Sequence, residues 1–301
     1  MKNRVLSCVV IMLVGGLAAG CTSEPEYQGG PTTITVMTFN VLCSLCNPDE
    51  YDPWDERLDY FADIFERHHP DLIGLQELTF VQEVEQMVEL NPEYEAICFH
   101  DDDGPLFDDY PDATILYRRD LFDVLDQGTY WLSPTPETPW TVGWAPQNIW
   151  RLVTWAHLRH RVTGSTFYFA TTHFDNNSPN QEMSAPVVLQ YTEPWAQDIP
   201  VLVVGDFNSQ PDSEAYQILT QGVDGAGFHL TNSFDFAETW RVEYNQDPAP
   251  EYDPDQRIDH IFTAGQPAWS CSDWVVDLYR YGESDRYPSD HFAIAATLTF
   301  E

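Results

Sequence analysis

Five stretches of this chain set acidic, amide or imidazole side chains at the ends of apolar runs. Asn40 follows Val36-Met37-Thr38-Phe39, and Glu77 follows Ile73-Gly74-Leu75-Gln76. His173 and Asp175 follow Phe169-Ala170-Thr171-Thr172, and Asp206 and Asn208 follow Val201-Leu202-Val203-Val204-Gly205. Asp290 and His291 open the last run. Polar groups at the ends of buried strands are costly unless they converge on a partner. A hard cation with oxygen ligands is the cheapest such partner. Magnesium takes one or two carboxylates and keeps room for water and a substrate phosphate, which fits this modest set. Histidine beside carboxylate leaves manganese or zinc open, although no thiolates are placed for a zinc site. Taken singly, each residue has an ordinary use. Glu77 suits a cap on a helix opening near Thr79, Gly-Asp-Phe-Asn suits a tight turn, and a lone histidine usually packs. The case rests on all five segments occurring in one chain.

The elements that must position these groups are legible in the pattern. Residues 33–42 alternate and are rich in β-branched side chains, which predicts a strand. Residues 54–68 put Leu58, Phe61 and Phe65 on one helical face, and Pro70 stops that helix. Residues 72–76 read as a buried strand, and 79–90 return to helical spacing. Strands are expected at 94–99, 113–117, 123–132, 152–160, 166–172, 200–204, 258–263, 272–281 and 292–300. Prolines 134, 136, 139 and 146 mark a long loop. A helix is expected within 182–196, beginning after Pro186, and another over 213–219, capped by Asp212. No stretch resembles an interdomain linker. Many strands with few helices predict an α/β domain of two packed sheets with helices outside.

The first residues do not belong to that domain. Lys2 and Arg4 precede an apolar run, Val5 to Val14, and small residues follow, as in a signal peptide too short to span a bilayer. Leu17-Ala18-Ala19-Gly20-Cys21 resembles a bacterial lipobox, except that the large apolar residue stands four before the cysteine rather than three. That resemblance implies cleavage after residue 20 and a lipid on Cys21. Residues 21–31 then form a tether and 32–301 the domain. The protein is expected to be exported, either anchored at the outer membrane or cell surface or free in the periplasm or medium.

Net charge is −36 with 13 Lys+Arg, and Lys2 is the sole lysine. Such a field repels polyanions and disfavours nucleic acid as a partner. The runs Asp101-Asp102-Asp103 and Asp108-Asp109 read as solvated loops. Cys43, Cys46, Cys98 and Cys271 remain after the leader and Cys21 are set aside. In an oxidising compartment they favour structural bridges of unknown pairing over a redox or zinc role.

Six stretches together resemble the endonuclease/exonuclease/phosphatase family, the DNase I-like fold. They are Met37-Thr-Phe-Asn40-Val, Ile73-Gly-Leu-Gln-Glu77, Thr172-His173-Phe-Asp175, Gly205-Asp206-Phe-Asn208-Ser-Gln-Pro211, Ile258-Asp259-His-Ile-Phe and Pro288-Ser289-Asp290-His291-Phe. The resemblance implies a four-layer α/β/β/α sandwich of mostly antiparallel sheets. It makes Glu77 the main ligand of Mg2+ (or Mn2+), helped by Asn40 and Asp290. Asp206 accepts a proton from the attacking water, and Asn208 holds that water and the phosphate. His291, oriented by Asp259, stabilises charge on the phosphoryl oxygens, and His173 donates a further hydrogen bond. These roles suit phosphoryl transfer, which needs positioning and charge neutralisation. Arg151 and Asp175 are candidates for the substrate phosphate, with Asp175 also placed to support His173 or approach the metal. Tyr117 is a weaker candidate. His260 should face away from the site, since neighbours on a strand alternate. The family often places basic residues after its Thr-His-Phe-Asp segment, whereas residues 176–181 here contain none.

The expected function is therefore metal-dependent hydrolysis of a phosphate ester, as phosphodiesterase or phosphatase, on a small-molecule or lipid-headgroup substrate by a monomer. A secreted nuclease is the alternative. Its groove would need Arg118, Arg119, Arg151, Arg159 and Arg161. A catalytically silent binding lipoprotein is a third reading, which loss of Glu77, Asp206 or His291 would have favoured.

Overall fold

A computed structural model describes residues 27–301 except 48, 102–108, 147–148 and 226. The leader, Cys21 and most of the tether lie outside the described residues, as do Asp102, Asp103 and Asp108.

The chain runs β1 (Thr32–Asn40), α1 (Trp54–His68), β2 (Leu72–Gln76), α2 (Val81–Leu90), β3 (Tyr94–His100), β4 (Asp109–Arg118), β5 (Phe122–Trp131), β6 (Leu152–His160) and β7 (Thr166–His173). It continues through α3 (Asn180–Ala196), β8 (Val201–Asp206), α4 (Glu214–Gln221), β9 (Thr231–Asn232), β10 (Trp240–Glu243), β11 (Asp259–Ala264), β12 (Ser270–Asp277) and β13 (Ala293–Phe300). One sheet has seven strands in the order β10-β12-β13-β1-β2-β4-β3, and the other has six, β5-β6-β7-β8-β11-β9. Most neighbours are antiparallel. The parallel pairs are β1–β2, β7–β8 and β10–β12. Antiparallel strands can be joined by a tight turn, but a parallel pair needs a long crossover. Helix α1 supplies it between β1 and β2, and α3 between β7 and β8.

Three apolar clusters separate four layers. Val36, Leu72, Ile115, Phe169, Val204 and Ile261 fill the space between the sheets. Phe61, Phe65 and Met87 of α1 and α2 cover the seven-stranded sheet, and Val188 and Leu219 of α3 and α4 cover the other. The sheets approach closely at Gly74. A Cβ there would lie 2.5 Å from both Thr171 Oγ1 and Val204 Cγ2. Just beyond it, Gln76 Nε2 crosses between sheets to Thr171 Oγ1 at 3.0 Å.

Several boundaries differ from expectation. Helix α3 starts at Asn180 and carries Pro186 and Pro194 inside it. Proline costs an internal hydrogen bond. Here Asn180 anchors the first turn, with Oδ1 accepting from Trp144 N and Nδ2 donating to Asp175. Helix α4 is capped by Ser213, whose hydroxyl accepts from Tyr216 N at 3.3 Å, and not by Asp212. Strand β12 stops at Asp277. Cys43 and Cys46 form a disulfide, while Cys98 and Cys271 remain thiols. Burial pushes both thiols up to about 11.

Candidate active site

The topology brings the five segments to one end of the sandwich. Because β1 and β2 are parallel, Asn40 pairs with Gln76, and Glu77 follows directly. Because β7 and β8 are parallel, His173 pairs with Asp206. Strand β11 runs antiparallel to β8, so its first residue, Asp259, lies opposite Asp206. Strand β13 runs antiparallel to β1, so the Asp290-His291 pair ahead of it arrives at the end where β1 finishes. Two βαβ units, one per sheet, thus aim their strand ends at a common cleft.

Asp206 stands at its centre and is 1% exposed. Its Oδ2 accepts from Asn40 Nδ2 at 3.0 Å and lies 3.4 Å from His173 Nε2 and 3.6 Å from His291 Nε2. Its Oδ1 accepts from the Asn208 N–H at 2.8 Å. Asn40 Nδ2 also donates to Glu77 Oε1 at 3.0 Å. The two carboxylates are therefore no further apart than those two bonds laid end to end. The Asn40 side-chain oxygen, Oδ1, accepts from the Leu42 N–H. As placed, then, Asn40 ties Glu77 to Asp206 and turns a nitrogen, which cannot ligate a cation, toward both. Glu77 Oε2 accepts from the Cys43 N–H at 3.0 Å.

Backbone geometry is unusual where the candidate residues are concentrated. Glu77 has φ 68° and Asn208 has φ 48°. Left-handed conformations cost a non-glycine residue free energy and persist only where the surroundings fix them. Gly205 has φ 150°, and a Cβ there would sit 2.1 Å from Thr172 O. Only glycine lets β8 come this close to β7 and deliver Asp206.

His291 Nδ1 donates to Asp259 Oδ2 at 2.8 Å. Burial opposes a charge on His291, but Asp259, Asp206 and Asp290 together outweigh it and push the imidazolium up to about 10. Asp206, Asp259 and His291 have ligand-type atoms within 4.8 Å of one another. Asp290 is raised by desolvation and by its neighbour Glu77, against the opposing pull of His291. Ser289 holds the motif in place, its hydroxyl donating to Asn40 O at 2.7 Å and accepting from His291 N at 3.2 Å.

Two residues of this region escape the sequence reading. Asp112 is buried, and its Oδ1 accepts from His173 Nδ1 at 2.9 Å while Oδ2 accepts from Arg151 Nη1 at 3.0 Å. Burial would raise its carboxyl, yet His173 and then Arg151 outweigh that and hold it at about 2. Arg57, 1% exposed on α1, donates to the carbonyls of Leu42 at 3.0 Å, Asp52 at 3.1 Å and Pro288 at 3.2 Å, and also to Val41 and Cys43. It lashes the loop after β1 to the loop that carries Asp290.

The remaining candidates divide between the cleft and the surrounding frame. Asp175 is spent on Asn177 and Asn180, where it organises the turn into α3. Arg151 reaches the cleft that Glu77, Tyr110 and His173 also line, paired with Asp112. Tyr117 pairs with Leu72, at the far end of the strand that leads to Glu77, and bonds Glu95. His260 faces away, as expected. It donates to Ser209 O and accepts from Asn232 Nδ2, each at 2.9 Å, and burial lowers it to about 3.

The sequence profile of the endonuclease/exonuclease/phosphatase family matches residues 37–291, from the start of the Asn40 segment to His291. The chain belongs to that family. A family member from Bacteroides thetaiotaomicron is 29% identical with a TM-score of 0.75, over 90% of this chain and 99% of that one. The mannosyl-6-phosphatase of Bacteroides thetaiotaomicron VPI-5482 is 28% identical with a TM-score of 0.74, over 88% and 99%. The human Nocturnin catalytic domain, solved with bound sulfate, shares the fold at 18% identity and a TM-score of 0.64, over 92% and 99%. The Nocturnin of Drosophila melanogaster is 26% identical over 56% of this chain, a match that spans only 26% of that protein. The DNase I-like sandwich expected from the sequence is thus the fold observed, and hydrolysis of phosphate esters is the chemistry of the family.

Proposed function

We propose that this chain is a divalent-metal-dependent phosphoesterase acting on a small phosphate ester. The observation that carries the reading is the placement of one buried carboxylate oxygen, Asp206 Oδ2, between two histidines and the amide that holds Glu77. Asp206 takes the proton of the attacking water. Asn208 fixes that water and the phosphate. The His291 imidazolium, held by Asp259, donates to the phosphoryl oxygens, and His173 does the same from Asp112. Glu77 and Asp290 fit a magnesium or manganese ion, as an all-oxygen pair whose like charges raise one of them. Such a cation neutralises phosphoryl charge and acidifies water. Asn40 joins as a ligand only with its amide turned over.

The 28% identical relative named mannosyl-6-phosphatase supports a phosphomonoester. The nuclease alternative finds little support in the charges. Arg118 pairs with Asp120, Arg151 with Asp112, and Arg159 and Arg161 with Asp123, so that of the five arginines such a groove would need only Arg119 is without an ion pair among the described residues. In this reading the enzyme is an exported monomer, tethered by lipid on Cys21. The test is release of product from p-nitrophenyl phosphate and bis-p-nitrophenyl phosphate with Mg2+ or Mn2+, alongside plasmid DNA. Turnover of an aryl ester with intact plasmid is expected. Nicked plasmid with untouched aryl esters would replace the proposal with the nuclease.

A further inference from the structure

A second cleft, of about 330 Å3, shares Asp290 and His291 with the site and runs on past Glu251, Tyr252, Asp253, Gln256, Arg257 and Phe292. That volume lies in the range of small-molecule sites. Its walls carry hydrogen-bonding groups of both kinds. Glu251 and Asp253 are exposed carboxylates, and Gln256 is an exposed amide. Arg257 and Asp259, which also line it, are each 6% exposed. Arg257 Nε and Asp259 Oδ1 have no hydrogen-bond partner among the described residues. The nearest acid to the Arg257 guanidinium, Asp235, is 3.8 Å away. A buried donor and a buried acceptor left unpaired in one cleft can both be served by a single ligand that donates and accepts.

The lining discriminates between ligand classes. An anionic group would face Glu251, Asp253, Asp259 and Asp290 together. A quaternary ammonium would meet Arg257 and has no use for donors. Nor do Tyr252 and Phe292 form an open cage for it. Their rings stand edge to face, with centroids 6.5 Å apart. A hydroxyl both donates and accepts, so a neutral polyol can use carboxylates, amide and guanidinium at once. The two rings give apolar surface to its C–H faces.

We propose that this cleft binds the alcohol half of the substrate and selects a neutral polyhydroxylated group, a sugar. The inference rests on the phosphoesterase reading and adds the substrate class to it. Full-length protein in Mn2+ is assayed on mannose 6-phosphate, fructose 1,6-bisphosphate, phosphocholine and p-nitrophenyl phosphate. The sugar monophosphate should exceed the bisphosphate and phosphocholine in kcat/KM by about tenfold or more, the value of one or two well-made hydrogen bonds. The surface double variant Glu251→Gln/Asp253→Asn should raise KM for mannose 6-phosphate about tenfold and leave the aryl ester, which has no hydroxyls to donate to these carboxylates, within about twofold. Preference for the bisphosphate or phosphocholine, or equal losses on sugar and aryl esters, overturns the assignment. If the aryl ester is cleaved and the sugar ester gains nothing, only this inference fails. If no ester is cleaved, the phosphoesterase reading falls and takes it along.

Discussion

Asp206→Asn should cut turnover of p-nitrophenyl phosphate by about 10³-fold or more while the unfolding transition stays within a few degrees. The substitution keeps the shape of a side chain that is 1% exposed. It also keeps an oxygen for one of its present donors, Asn40 Nδ2 or the Asn208 N–H. What it removes is a basic oxygen between His173 and His291. Loss of rate without loss of fold therefore isolates proton transfer from architecture. The measurement is kcat beside a thermal melt. Turnover within about tenfold of the parent would assign the base to another group.

Chelation should stop the reaction, and Mn2+ or Mg2+ should restore it in the parent protein. Glu77→Gln should require far more metal for the same rate, because the amide keeps an oxygen for only one of the two present donors, Asn40 Nδ2 or the Cys43 N–H, and gives up the charge that attracts a hard cation. Glu77 already sits in a left-handed conformation, so the substitution adds no new backbone cost. Titrating rate against Mn2+ separates the outcomes. An unchanged metal requirement would show that Glu77 holds no ion. Full activity in excess chelator would end the metal mechanism altogether.

The sequence carried much of this site because one physical rule operates at nearly every position. Glu77, His173 and Asp206 interrupt apolar runs, and parallel β1–β2 and β7–β8 pairing turns those interruptions into neighbours. Asp112 obeys the same rule at the head of Ala113–Tyr117. It was hidden because Pro111 beside it reads as a turn, although β4 continues through it to Asp109. Arg57 had a signal too, since it adjoins Leu58 and lies four residues before Phe61 on the buried side of α1. A single cation there looks like a solvated edge until the carbonyls it serves are in place. Those carbonyls belong to residues near 41–43, 52 and 288, and no local pattern links them. Asp175 misled for the opposite reason. Its motif neighbour His173 does reach the cleft, but Asp175 is committed to the turn that follows.

The Cys43–Cys46 bridge closes a four-residue loop whose first N–H bonds Glu77 and whose first carbonyl receives Arg57. Leu42 and Asn47, on either side of it, both have positive φ, so the loop is held in a shape it would not keep unaided. A freshly made polypeptide surrounded by glutathione and thioredoxin carries two thiols here instead. Dithiothreitol treatment should accordingly weaken metal uptake and slow the enzyme, and reoxidation should reverse both; indifference to reductant would refute this. If the chain is exported as proposed, synthesis and activation would be separated in space, and the nascent chain would do little harm to the phosphorylated metabolites of the cell that makes it.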